Sequence, residues 1–150
     1  MLSNEFDALI GELNQVNTGK DTAIKYENVC IKIIDILFKG HFYGWLPNDL
    51  ENNIQKFAQV STSDNSHRRD LIVPVNIGDI PDFWEFVSKT LNSRYVTFEF
   101  KNYTDKIKQG QIYTTEKYLY TKALRTVAIV FTRKGADENA IKAVQGAIRE

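Results

Sequence analysis

The sequence predicts an α/β fold, a β-sheet flanked by helices. Three observations carry that prediction. Tyr95–Lys101 alternates strictly, and Arg125–Phe131 is a mostly apolar run, so both read as strands. Segments of helical period lie before, between and after them. Strands separated by helices bury their apolar faces by stacking helices on a sheet. The 150 residues, 43% hydrophobic and 25% charged, fit one globular domain.

Leu2–Val16 places Phe6, Leu9, Ile10, Leu13 and Val16 at helical spacing, with Ser3 or Asn4 as cap. Asn17-Thr18-Gly19-Lys20 is a break, so residues 1–19 read as an N-terminal helical extension. Its Gly-Lys pair lacks the upstream glycine of a phosphate loop and is set aside. Asp21–Phe38 is a stronger helix, with a broad stripe from Ile24 and Val29 to Phe38. Glu27 projects near that stripe, where a carboxylate is unusual; a salt bridge or an interface edge would also explain it. Gly40 is a C-cap.

His41–Asn53 has no clear period; Phe42, Tyr43, Trp45 and Leu46 pack on the domain or contact a partner. Phe57–Val60 begins a first strand, and Ser61–Ser66 is a polar loop. Leu71–Val75 is a short apolar strand with Asp70 at its start, and Pro74 places its end at an edge or bulge. Asp82–Leu91 reads as a helix with Phe83, Trp84, Phe86, Val87 and Leu91 inward. Asp105–Lys122 is expected to be a helix anchored by Ile107, Ile112, Tyr118 and Leu119. Asp137–Arg149 is a final amphipathic helix. No strand follows it, so either the sheet ends there or the chain is part of a longer protein. Trp45 and Trp84 read as core, not as base-stacking platforms.

Composition narrows the chemistry. The one cysteine, Cys30, cannot form an internal disulfide or anchor a cysteine zinc site, which points to a reducing compartment. With only His41 and His67, a metal would be held by oxygen ligands, which favours magnesium or manganese. No apolar run spans a bilayer and no signal-peptide pattern opens the chain, so a cytoplasmic protein with no membrane partner is expected. The net charge is zero but uneven. Arg94–Lys134 holds nine bases (Arg94, Lys101, Lys106, Lys108, Lys117, Lys122, Arg125, Arg133, Lys134) and three acids (Glu99, Asp105, Glu116). That is the footprint of a polyanion binder, or simply a solvated face of uneven charge.

The alternating strand sets the functional question. Val96, Phe98 and Phe100 fall on one side, and Tyr95, Thr97, Glu99 and Lys101 on the other. Glu99 and Lys101 thus point the same way, about 7 Å apart along the axis. An ordinary ion pair at a strand end accounts for them. Glu27 on a helix and Asp70 at a strand, both upstream, suggest more.

Tyr26-Glu27, Arg69-Asp70-Leu71-Ile72 and Phe98-Glu99-Phe100-Lys101-Asn102-Tyr103 together resemble the PD-(D/E)xK, or restriction-endonuclease-like, nuclease superfamily. The Mrr-like and archaeal Holliday-junction-resolvase-like branches are nearest, and the resemblance covers about residues 20–134. Two departures stand. Thr114, not glutamine, lies four positions before Tyr118, with Gln111 three earlier, and Arg69 replaces the proline of the nominal motif.

The resemblance implies a restriction-endonuclease-like core with a central mixed sheet, and Mg²⁺- or Mn²⁺-dependent hydrolysis of DNA in restriction or antiphage defence. It implies that Asp70, Glu99 and the Phe100 backbone carbonyl ligate metal, with Glu27 assisting through a water or a second ion. Lys101 would orient or help deprotonate the attacking water. Lys106, Lys108 and Arg133 would contact phosphates, as would Arg68 and Arg69 unless these only flank the strand. A single site cuts one strand, so a homodimer or larger assembly is expected, with sensor or ATPase domains outside this chain as candidate partners. A non-catalytic nucleic-acid-binding or assembly module of the same fold is the alternative, and RNA or a branched junction the alternative substrate.

Overall fold

The strand with the Glu-x-Lys triplet runs through the middle of the protein. A computed structural model describes residues 2–61 and 68–149. In chain order the elements are α1 (Leu2–Gln15), α2 (Ala23–Leu37), α3 (Leu50–Phe57), β1 (Ala58–Ser61), β2 (Arg68–Pro74), α4 (Asp82–Glu85), β3 (Tyr95–Lys101), α5 (Gln109–Glu116), β4 (Val127–Thr132) and α6 (Glu138–Arg149). The fold is α/β, with one four-stranded mixed sheet in the order β1-β2-β3-β4. β1 and β2 pair antiparallel, as do β2 and β3, while β3 and β4 are parallel. A parallel pair needs a crossover connection, and α5 lies on it.

Register sorts the side chains between the two faces. Leu71 opposes Phe98, Val73 opposes Val96, and Phe98 and Phe100 oppose Ile129 and Phe131. These share one face, on which α2 packs Tyr26, Val29, Cys30, Ile31 and Ile34. Phe42 and Phe98 meet edge-on at 5.8 Å, and Phe98 and Phe131 stack at 6.0 Å. Burying such rings dominates core energetics, at about 1.5–3 kcal/mol for each fully buried large side chain. Trp45 and Trp84 are both in this core, as expected. Burial in the same core pushes the Cys30 thiol up to about 12, which makes it an inert packing residue.

The hard-to-read segment is organised by polar side chains. Asn53, fully buried, accepts from the Leu46 amide (3.0 Å) and donates to the Leu46 carbonyl (2.7 Å). Asp35 accepts from the Trp45 indole (2.6 Å) and the Asn48 amide (3.0 Å). These bonds turn the chain into α3, which Asp49 caps by accepting from the Asn52 amide at 3.3 Å. α3 replaces the end of the unread stretch, so Phe57 closes a helix and does not open the first strand. The polar loop expected at Ser61–Ser66 lies, beyond Ser61, outside the described residues.

Two helices depart from expectation. Asp82–Leu91 begins as α4 but widens into a π turn over Phe86–Thr90. The wider turn shifts the helical phase. Trp84 and Val87 point inward, whereas Phe83, Phe86 and Leu91 are exposed. α5 covers only Gln109–Glu116 of the helix expected over Asp105–Lys122. Ile107 pairs instead as an isolated bridge with Ala136, and Tyr120 with Arg125. Tyr118 lies beyond the helix and is exposed, so it anchors nothing. Gly110, Thr114 and Thr115 are weak helix formers, so tertiary pairing decides the outcome.

The exit of β3 is tied to the distant α1–α2 connection. Asn102 Nδ2 lies within bonding range of the Asn17 carbonyl (3.0 Å), the Gly19 carbonyl (3.0 Å) and Thr22 Oγ1 (3.1 Å). Its two hydrogens serve two of these at once. The Gly19 amide returns a bond to the Asn102 carbonyl at 2.7 Å. Asn102→Ala therefore strips buried groups of their partners, and urea denaturation is expected to show a loss on the order of 2–3 kcal/mol. An unchanged midpoint contradicts that role.

His41 Nδ1 accepts from the Trp84 indole at 3.1 Å, and burial holds its pKa below the ordinary value. The folded state therefore disfavours the proton that the unfolded chain takes up near pH 6.5. The stability from neutral His41 is present above that pH and lost as pH falls below it. Thermal melts from pH 7.5 down to 5.5 are expected to show a falling Tm that is flatter in His41→Asn.

Candidate active site

Glu99 and Lys101 stand on the sheet face opposite the Phe98 core, as the alternation demands. Glu99 is 1% exposed and Lys101 6%. Lys101 Nζ lies 3.3 Å from Glu99 Oε2. The same oxygen accepts from Thr115 Oγ1 of α5 at 2.7 Å. Glu99 Oε1 is buried and has no hydrogen-bond partner among the described residues. Thr97, two residues earlier on the same face, has a buried hydroxyl without a partner among the described residues. Buried polar atoms are nearly always bonded, so two bare ones on one strand face need a reason.

The sheet opens beside this pair. Pairing of β2 with β3 runs from Pro74–Tyr95 to Leu71–Phe98 and stops there among the described residues. Both strands continue. Arg68–Asp70 pairs with β1, and Glu99–Lys101 with β4. β2 and β3 therefore part as a fork, with Asp70 on one prong and Glu99 on the other. Asp70 alternates with the inward Leu71, so it shares the face of Glu99.

The backbone inside the fork is oriented too. The Val75 amide donates to the Arg94 carbonyl at 2.9 Å, which turns even-numbered β3 residues toward β2. The Tyr95 amide donates to the Leu124 carbonyl at 3.0 Å, on the β4 side. Phe100 is even-numbered, so its carbonyl faces the gap that β2 has left.

The other sequence-selected residues are carried by several elements. Glu27 is buried in α2, the helix that covers the Phe98 face. No group of three or more Asp, Glu, His or Cys side chains able to hold a metal is found among the described residues. Arg133 is committed to internal contacts. It donates to the Val16 carbonyl (2.9 Å) and Asn102 Oδ1 (3.0 Å), and its guanidinium lies 5.4 Å from the centre of the Tyr26 ring. Lys106 and Lys108 are exposed on either side of the buried Ile107. The side chains of Arg68 and Arg69 lie outside the described part of the structure. A cavity of about 520 Å³ lies between α1 and α2, lined among others by Glu12, Gln15, Lys25, Asn28 and Lys32, and none of the selected residues lines it. No described helix is long and apolar enough to cross a membrane.

Two residues of this site escaped sequence reading. Thr115 contacts Glu99, but a threonine in a short helix carries no signal of its own. Gln111, whose role the motif left open, caps α5 by accepting from the Lys108 amide at 2.7 Å.

The chain matches no protein-family model, and comparison with curated proteins and with solved structures finds no significant match. The site therefore has to be read from its own chemistry.

A buried ion pair broken on one side leaves an uncompensated charge, at a cost of about 3–5 kcal/mol. Lys101→Met is expected to lose that much in urea denaturation. Adding Glu99→Gln should restore most of it, because the charge left behind is removed. Strict additivity of the two changes would show that the pair is not coupled.

Proposed function

We propose that the chain is a metal-dependent endonuclease with a restriction-endonuclease-like core, hydrolysing DNA phosphodiester bonds in restriction or antiphage defence. The observation that carries this reading is the Glu99–Lys101 pair at the sheet fork, with Asp70 on the same face across the gap. The αβ order, with three antiparallel-paired strands followed by a helix and a parallel strand, supports it.

The donor set fits a hard cation. Asp70 and Glu99 offer carboxylate oxygens and Phe100 a carbonyl, and the bare Glu99 Oε1 is an acceptor still to be used. Bound Mg²⁺ or Mn²⁺ would supply charge neutralisation at the phosphate and acidify a water. Lys101 Nζ, 3.3 Å from Glu99 Oε2, would orient the attacking water or stabilise developing charge. Glu27 would assist through a water or a second ion. Lys106 and Lys108 would hold the nucleic-acid backbone without reading sequence. One such site cuts one strand, so two chains would make a double-strand break.

A specific observation favours a second reading. Glu99 and Lys101 are buried almost completely, as in a pair kept for structure. On that reading the chain is a nucleic-acid-binding or assembly module of the same fold.

Incubation with supercoiled plasmid and Mg²⁺ or Mn²⁺ separates the two. The purified chain is expected to nick or cut, and Glu99→Gln and Lys101→Met to lower the rate at least a hundredfold while circular dichroism stays native. Full cutting by both variants removes the site assignment. Metal-independent DNA binding without cutting establishes the second reading. Linear duplex, single-stranded, junction and RNA substrates run in parallel define the substrate.

A further inference from the structure

We infer that Thr115 is a positioning residue that turns the Glu99 carboxylate so that Oε1 is presented to a divalent cation; this rests on the metal-dependent reading above. A carboxylate on a free side chain presents its two oxygens interchangeably, because its last torsion is broad and two-fold. Here the oxygens are inequivalent. Oε2 takes both the Thr115 hydroxyl at 2.7 Å and the Lys101 ammonium at 3.3 Å. Oε1 takes nothing among the described residues and is buried.

The hydroxyl that creates this difference is itself fixed. Thr115 Oγ1 lies 3.0 Å from the Gln111 carbonyl, four residues earlier in α5. That is the back-bonding rotamer of a helical threonine, which holds the oxygen against its own helix. The hydroxyl has one hydrogen and two acceptors in range. The ion-paired carboxylate is the stronger and nearer of them, so the hydrogen goes to Glu99. Gln111 in turn secures the start of α5 through the Lys108 amide. The chain of contacts runs from helix cap to carboxylate without reaching the reacting atoms. Partners of this kind orient a ligating group, and their loss typically weakens metal binding about 10–100-fold.

Mn²⁺ titration by calorimetry tests this without reference to cutting. Wild type, Thr115→Val, Thr115→Ser and Glu99→Gln are compared. Thr115→Val keeps the shape and removes the hydrogen bond, and is expected to bind Mn²⁺ at least tenfold more weakly. Thr115→Ser restores the hydroxyl and should bind within about twofold of wild type, an outcome that a loss of packing would not give. Should the valine variant fail to fold, Thr115→Ala takes its place in the same comparison. Wild-type affinity in the variant lacking the hydroxyl overturns the inference and leaves the metal reading standing. Absence of Mn²⁺ binding by wild type overturns the metal reading and the inference with it.

Discussion

A carboxylate and an ammonium buried together constrain almost everything around them. Taking two charges out of water costs several kcal/mol for each, and their attraction offsets this only with good geometry and further hydrogen bonds. Glu99 and Lys101 meet that demand locally, 3.3 Å apart on one strand face. The rest is met by neighbours. α5 must follow β3 closely enough to bring Thr115 over Glu99, and β4 must continue alongside to Thr132 so that Lys101 stays within a sheet. The parallel β3–α5–β4 unit is thus as much a housing for two charges as a packing solution.

The end of that unit is braced from afar. Asn102 follows Lys101 directly and is bonded to the α1–α2 connection more than 80 residues earlier, while Arg133, just past β4, bonds both Asn102 and the end of α1. The N-terminal helix, which read as an extension, is therefore joined to the exits of the two central strands. Arg133, expected to contact phosphates, bonds the Val16 carbonyl and Asn102 within the protein.

The legible parts of the sequence were those where side-chain periodicity and backbone agree. β3 alternates along its whole length, and its two faces follow from that alone. α1, α2 and α6 are long enough for their period to show, and β4 shows as an apolar run. The illegible parts depend on contacts made later. α3 is short and polar, and exists because Asn53 and Asp35 tie down the turn before it. The π turn moves Leu91 outward against its apolar character. At the site, Glu99 and Lys101 could be paired from spacing, but Thr115 could not, because no local pattern distinguishes a threonine that meets a carboxylate across a crossover. Nor could the fork be foreseen, since register is a property of two strands and not of either one.

The fork also grades stability along β3. At Val96 and Phe98 the backbone is paired toward β2 and the side chains are fully buried in the core. At Phe100 the same edge of the strand has no β2 partner among the described residues. Amide protection follows pairing and burial, so the free energy of local opening declines from the middle of the strand toward Lys101. A buried carboxylate–ammonium pair therefore sits where β3 has lost one of its two neighbouring strands among the described residues.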